Sequence, residues 1–94
     1  MENIVIHSAA EQIFYIDIEG QQATLKYFIE GENIMDIRST YVPFSLRGGG
    51  LAAMLVEECL MFAEKNNYKI IPSCSYVHTF ITRHPKYKKL VAGE

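Results

Sequence analysis

Between residues 4 and 42 the apolar positions recur with a period near two. Segments 4–7 and 13–18 are rich in Ile, Val, Phe and Tyr, and in the second Ile13, Tyr15 and Asp17 alternate with Phe14, Ile16 and Ile18. Such alternation sends successive side chains to opposite faces, the signature of a strand. Glu19-Gly20 and Glu30-Gly31 interrupt the pattern where tight hairpin turns would require a positive φ. Strands over 23–30 and 33–42 complete an expected antiparallel meander of four.

After Val42-Pro43 the period lengthens. Across 51–66 the apolar residues Ala52, Leu55, Val56, Cys59, Phe62 and Ala63 share one helical face, with Glu57, Glu58, Glu64 and Lys65 opposite. Asn66-Asn67 suits the end of that helix, and Lys69-Ile70-Ile71-Pro72 reads as a short buried strand that Pro72 ends or bulges. Ser73 or Ser75 is placed to cap a second helix, whose apolar face is Val77, Phe80 and Ile81 and which Pro85 stops. The predicted order is ββββαβα, an α+β fold, in which a right-handed crossover lays the fifth strand parallel to the fourth. Residues 1–94 suffice for one domain and leave little room for a second.

Charge changes this picture by its distribution. Nine Lys and Arg against eleven Asp and Glu give a net charge of -2, which argues against a general nucleic-acid binder. Yet residues 1–37 hold Glu2, Glu11, Asp17, Glu19, Glu30, Glu32 and Asp36 against Lys26 alone. Residues 65–93 hold Lys65, Lys69, Arg83, Lys86, Lys88 and Lys89 and no acid. A bipolar surface of this kind suits an anionic ligand on the C-terminal half. Cys59 and Cys74 are too few for a disulfide scaffold and, like His7 and His78, lack metal-ligand spacing, so the expectation is a reduced cytoplasmic chain with no metal. Met1-Glu2-Asn3 does not resemble a signal sequence, and no apolar run approaches the ~20 residues of a membrane span, so no membrane partner is expected.

The chemistry concentrates in Val42-Pro43-Phe44-Ser45-Leu46-Arg47-Gly48-Gly49-Gly50-Leu51-Ala52, where a strand end passes through three glycines into a helix start. Small residues let backbone N–H groups approach an anion, and the helix start adds open donors and the positive end of a dipole. A purely conformational need for glycine is the simpler account of the same residues. No Lys-Ser/Thr pair follows the glycines, so this is not an ATP-type phosphate loop, and the dinucleotide fingerprint is incomplete.

Arg47-x-x-Gly50-x-Ala52 resembles the Q/R-x-x-G-x-G/A signature of the GNAT superfamily of acyl-CoA-dependent N-acetyltransferases. Tyr41-Val42-Pro43, Ile71-Pro72-Ser73-Cys74-Ser75-Tyr76-Val77 and His84-Pro85-Lys86-Tyr87 extend the similarity to the small single-domain branch of that superfamily, over almost the whole chain. The resemblance implies that acetyl-CoA is the cosubstrate. Arg47, Gly48, Gly49, Gly50, Leu51 and Ala52 would meet its pyrophosphate, and Val42 would pair with its pantetheine arm between splayed fourth and fifth strands. His84 and Lys86 would reach the nucleotide phosphates. Cys74 stands where this branch carries a cysteine associated with catalysis, open to two chemistries: a thiolate that accepts the acetyl group, or a thiol that protonates departing coenzyme A. Tyr76 is a second candidate acid.

One position departs from the pattern. Relatives often place a His near the end of the fourth strand, and this chain has Ser39, a poor base. Three readings therefore remain open: an N-acetyltransferase acting on an unidentified primary amine, a non-catalytic acyl-CoA binder or sensor, and an interaction module whose glycines serve only the turn.

Overall fold

A computed structural model describes residues 3–93; Met1, Glu2 and Glu94, including the start of the N-terminal segment read above, lie outside the described residues. Five strands form one sheet in sequence order: β1 (Ile6–Ser8), β2 (Ile13–Ile18), β3 (Gln21–Glu30), β4 (Ile34–Tyr41) and β5 (Lys69–Ile71). The first four pair antiparallel and β5 pairs parallel to β4, as the ββββαβα order requires. Alternation along the strands sends Phe14, Ile16, Ala23, Leu25, Tyr27, Met35 and Ile37 into one core face.

Helix α1 (Leu51–Lys65) lies on that face, across β2 and β3 and against β4 and β5. Its buried stripe is Leu51, Leu55, Val56, Cys59, Leu60 and Ala63. The stripe is rotated from the expected one: Leu51 and Leu60 replace Ala52 and Phe62, because the helix turns its 51–55–59 and 56–60–63 rows to the sheet. Ala52 and Phe62 are half-buried at its margins.

The second helix, α2 (Ser75–Arg83), buries Val77, Phe80 and Ile81 as the spacing predicts. Neither serine caps it. Cys74 occupies the N-cap position with an extended backbone (φ -72°, ψ 126°), and Ser75 is already helical. Pro85 ends the regular helix, but the chain turns on as a 3-10 segment, Pro85–Leu90, that buries Tyr87 and Leu90 in the same core. Val91 then bridges Ile70 in parallel, and Ala92 N–H donates to Ile70 O at 2.8 Å, so the outer edge of β5 is covered.

The sheet is irregular at one place. Lys26 pairs with Ser39 and Tyr27 with Ile37, leaving Arg38 as an extra residue in β4. A bulge of this kind bends its strand and sharpens its twist. Pairing with β5 ends at Asp36–Ile71, just before the bulge on one side and Pro72 on the other, while β4 continues to Tyr41. The two strands part there.

Leu55 is wholly buried beneath the sheet. Leu55→Ala should cost about 2–5 kcal/mol in chemical denaturation, the range for a leucine removed from a close-packed core.

Candidate functional site

Beyond its pairing with β5, the end of β4 borders a cavity of about 390 Å³. Its wall comes from the end of β4 (Thr40, Tyr41), the loop that follows (Val42, Leu46, Arg47, Gly48, Gly50), the first turn of α1 (Leu51, Ala52, Ala53) and Tyr76 of α2. Of the residues predicted for a cosubstrate, Val42, Arg47, Gly48, Gly50, Leu51 and Ala52 meet in this wall. Gly49 lies beside it in sequence without lining it.

The loop first makes a 3-10 turn, Phe44–Leu46, pinned by Leu46 N–H to Pro43 O at 2.8 Å and by a Gln21–Ser45 side-chain contact to the β2–β3 hairpin. Gly48 and Gly50 then adopt φ of +89° and +80°. Those two need glycine for conformation alone. Gly49 has no positive φ, and a Cβ there would meet only Leu46 O at 3.7 Å, so neither strain nor crowding within the chain explains it.

The start of α1 has the features of an anion site. Gly50 caps it without a side chain, and its first turn carries no acidic residue. The first helical bond is Met54 N–H to Gly50 O, 3.1 Å, which leaves the N–H groups of Leu51, Ala52 and Ala53 without a backbone acceptor among the described residues. Arg47 stands beside them, its Nε donating to Val42 O at 2.9 Å and its guanidinium 5.7 Å from the centre of the exposed Phe44 ring.

Cys74 sits where the strands separate. Its N–H donates to Ile37 O at 2.9 Å, and its Sγ lies 3.7 Å from Thr40 Oγ1. Half-burial alone would push its thiol up. The backbone N–H groups of Val77 and Tyr76, the Thr40 hydroxyl and the Thr40 backbone outweigh that and draw it below the ordinary thiol value. The α2 amides act on the sulfur as the positive end of a helix, although none completes a hydrogen bond in this geometry. Cys59, by contrast, is wholly buried against Met35 in the core, and burial pushes its thiol well above the ordinary range.

Thr40 is the member of this site that sequence reasoning missed, since one threonine late in a strand carries no pattern. Cys74, His84 and Lys86, like Gly49, do not line the cavity wall. His84 stacks on Phe80 at 4.0 Å with its Nδ1 2.9 Å from Phe80 O, and Lys86 lies over the Tyr87 ring at 5.1 Å. Both belong to the termination of α2. Ser39 is exposed on β4 opposite Lys26.

His7 occupies a separate aromatic cluster at the other end of α1, stacked on Phe14 at 4.0 Å and sharing a 2.6 Å hydrogen bond with Tyr27. Burial lowers the His7 pKa, and burial, reinforced by Cys59 and Tyr68, pushes Tyr27 up to about 12. No group of three or more His, Cys, Asp or Glu suited to a metal ion occurs among the described residues. No helix among them is long and apolar enough to cross a membrane.

Residues 13–90 match the family described as GCN5-related N-acetyl-transferase. The protein NATD1 of Homo sapiens is 29% identical over 83 residues, spanning 86% of this chain and 74% of its own. NATD1 of Danio rerio is 29% identical over 87 residues, spanning 88% and 79%. A GCN5-like protein from Staphylococcus aureus, solved in solution by NMR, superposes with a TM-score of 0.71 at 26% identity, over 97% of this chain and 89% of that one.

The contrast between the two thiols is directly measurable. Since the thiolate is the nucleophile, Cys74 should react with iodoacetamide along a pH profile whose midpoint lies below that of an ordinary free thiol, while Cys59 stays unmodified until the protein unfolds. Peptide mapping after timed alkylation checks this.

Proposed function

Because the chain belongs to the GCN5-related N-acetyltransferase family, we propose that it binds acetyl-CoA in the cavity between β4 and α1 and transfers the acetyl group to a primary amine. The observation that carries the reading is the position of Cys74: a half-buried sulfur with a lowered pKa, held at the parting of the strands and bonded to a residue of the cavity wall. The residues present fit the cosubstrate. Open amides at the α1 start, with no competing carboxylate in the first turn, suit a pyrophosphate. Arg47 would exchange its bond to Val42 O for a charge-assisted one to phosphate, freeing that carbonyl to pair with an amide of the pantetheine arm.

Acetyl-CoA brings an acetyl thioester, already activated towards nucleophiles. In the direct route the amine nitrogen bonds to the acetyl carbon, the carbon–sulfur bond breaks, and Cys74 or Tyr76 gives a proton to the coenzyme A thiolate while the amine loses one to water. In the covalent route the Cys74 thiolate would bond to the acetyl carbon as the carbon–sulfur bond to coenzyme A breaks and its thiolate leaves, taking a proton from water; the amine nitrogen would then bond to the same carbon, expelling the Cys74 thiolate and losing a proton to water. With Cys74 as the acid, both routes use the same sulfur. Thr40 Oγ1 is placed to donate to that sulfur while it bears charge and to accept from it when it is protonated.

The exposed Ser39 favours a second reading, an acyl-CoA binder without turnover, because it offers no base to deprotonate an amine. The experiment that separates the two is incubation with acetyl-CoA followed by intact mass, peptide mapping and addition of an amine. Transfer that is present in the parent and lost in Cys74→Ala, with acetyl-CoA affinity unchanged, supports the enzyme. A persistent acetyl group on Cys74 marks the covalent route. Tight binding with no transfer to any amine supports the sensor, and parental transfer by Cys74→Ala removes the cysteine from the chemistry.

Acetyl-CoA should also raise the melting temperature by mass action. Ala52→Glu separates fold from site, because a carboxylate in the first turn of α1 stabilises the free helix by about 0.3–1 kcal/mol while opposing a phosphate at the same amides. Thermal melting should show a stable variant that acetyl-CoA no longer shifts; a full shift in Ala52→Glu would place the ligand elsewhere.

A further inference from the structure

Asp36 is the only buried charged side chain among the described residues, with 5% of its surface exposed. Burying a carboxylate is costly, and an apolar residue of similar size is often as stable or more so. Its neighbours Met35 and Ile37 point into the core beneath α1, so alternation turns Asp36 to the opposite face of the sheet. There its cross-strand partner is Phe28, whose ring carries the Arg38 guanidinium at 4.8 Å.

Both carboxylate oxygens are committed. Oδ2 accepts from Arg38 Nε at 2.6 Å, and Arg38 also reaches Glu30 at 3.8 Å. Oδ1 accepts from the Ser73 hydroxyl at 2.6 Å. Burial would raise the Asp36 pKa, but the bonds from Ser73 and Arg38 outweigh it and hold the carboxyl below its ordinary value, with Glu30 the other acid close by.

Ser73 lies in the short connection from β5 to the α2 start, next to Cys74, and is otherwise exposed. Three successive ties therefore join that connection to β4: Asp36 Oδ1 to Ser73, Ile37 O to Cys74 N–H, and Thr40 Oγ1 to Cys74 Sγ. They straddle the Arg38 bulge. We propose that Asp36 is a positioning residue, which through Ser73 locks the β5–α2 connection onto β4 and so fixes the Cys74 sulfur against Thr40 and the first amides of α2. The cost of burying the charge is offset by its bonds from Ser73 and Arg38.

The inference rests on Cys74 being the reacting group, but its readout is the thiol itself, so it is decided whether or not acetyl-CoA proves to be the ligand. In Ser73→Ala, iodoacetamide should modify Cys74 roughly threefold to tenfold more slowly near neutral pH, as the released sulfur moves away from Thr40 and the α2 amides and holds its proton more tightly. The midpoint of the pH profile should move up accordingly. Ser73→Thr keeps the hydroxyl and should retain the parental profile, whereas the isosteric Ser73→Val should behave as Ser73→Ala does. Asp36→Asn still offers an oxygen to Ser73, so it should melt earlier through loss of the Arg38 pair yet keep a near-parental profile. Parental profiles in Ser73→Ala and Ser73→Val would overturn the proposal and leave the clasp a matter of stability. A shift in Asp36→Asn alone would overturn it also, by assigning the effect to charge instead of geometry.

Discussion

The parting of two parallel strands is the constraint on which the rest of this protein depends. A parallel pair holds together by evenly spaced hydrogen bonds and ends when either partner stops offering them. Here the regular pairing stops at Ile71: β4 bends at the Arg38 bulge, and past Pro72 the chain returns a single backbone bond to β4, from Cys74 N–H to Ile37 O. The exposed length of β4 beyond that point becomes one wall of a cavity. The chain leaving Pro72 turns sharply enough to place Cys74 at the head of α2, and the chain leaving Tyr41 turns through the glycines to place the head of α1 across from it. Two helix N-termini thus flank one opening in a sheet, and each exerts its field on a different part of it.

Much of this was legible in the residue pattern. The alternating strands, the amphipathic α1 and the Val77, Phe80 and Ile81 face of α2 follow from periodicity, since a side chain must be buried wherever an element's apolar stripe meets the core. The glycine-rich turn was legible because Gly48 and Gly50 meet a conformational demand that few other residues can meet. The 3-10 segment after Pro85 was not, since proline signals where a helix ends and says nothing of how the chain then packs. The rotation of the α1 stripe was hidden for a related reason: Leu51 and Ala52 are both apolar, and only the depth of the sheet beneath them decides which is covered.

The site itself was half legible. Motif residues proposed to act through their backbone, such as Gly50 and Ala52, line one cavity, because chain direction alone places them. Residues that act through side chains depended on packing. His84 turns into a stack with Phe80, and Lys86 onto Tyr87, where neighbouring aromatic faces compete successfully with solvent. Thr40 and Asp36 gained meaning only once the bulge changed which face and which edge of β4 each presents.

The bridge from Val91 to Ile70 carries a consequence of a different kind. β5 is three residues long, and without Val91 and Ala92 its outer backbone groups would stand open beside an apolar segment. An open edge of that composition is a template for pairing with a second molecule. The closing residues of the fold therefore act as a guard against self-association, and shortening the chain at that end would be felt first as lost solubility.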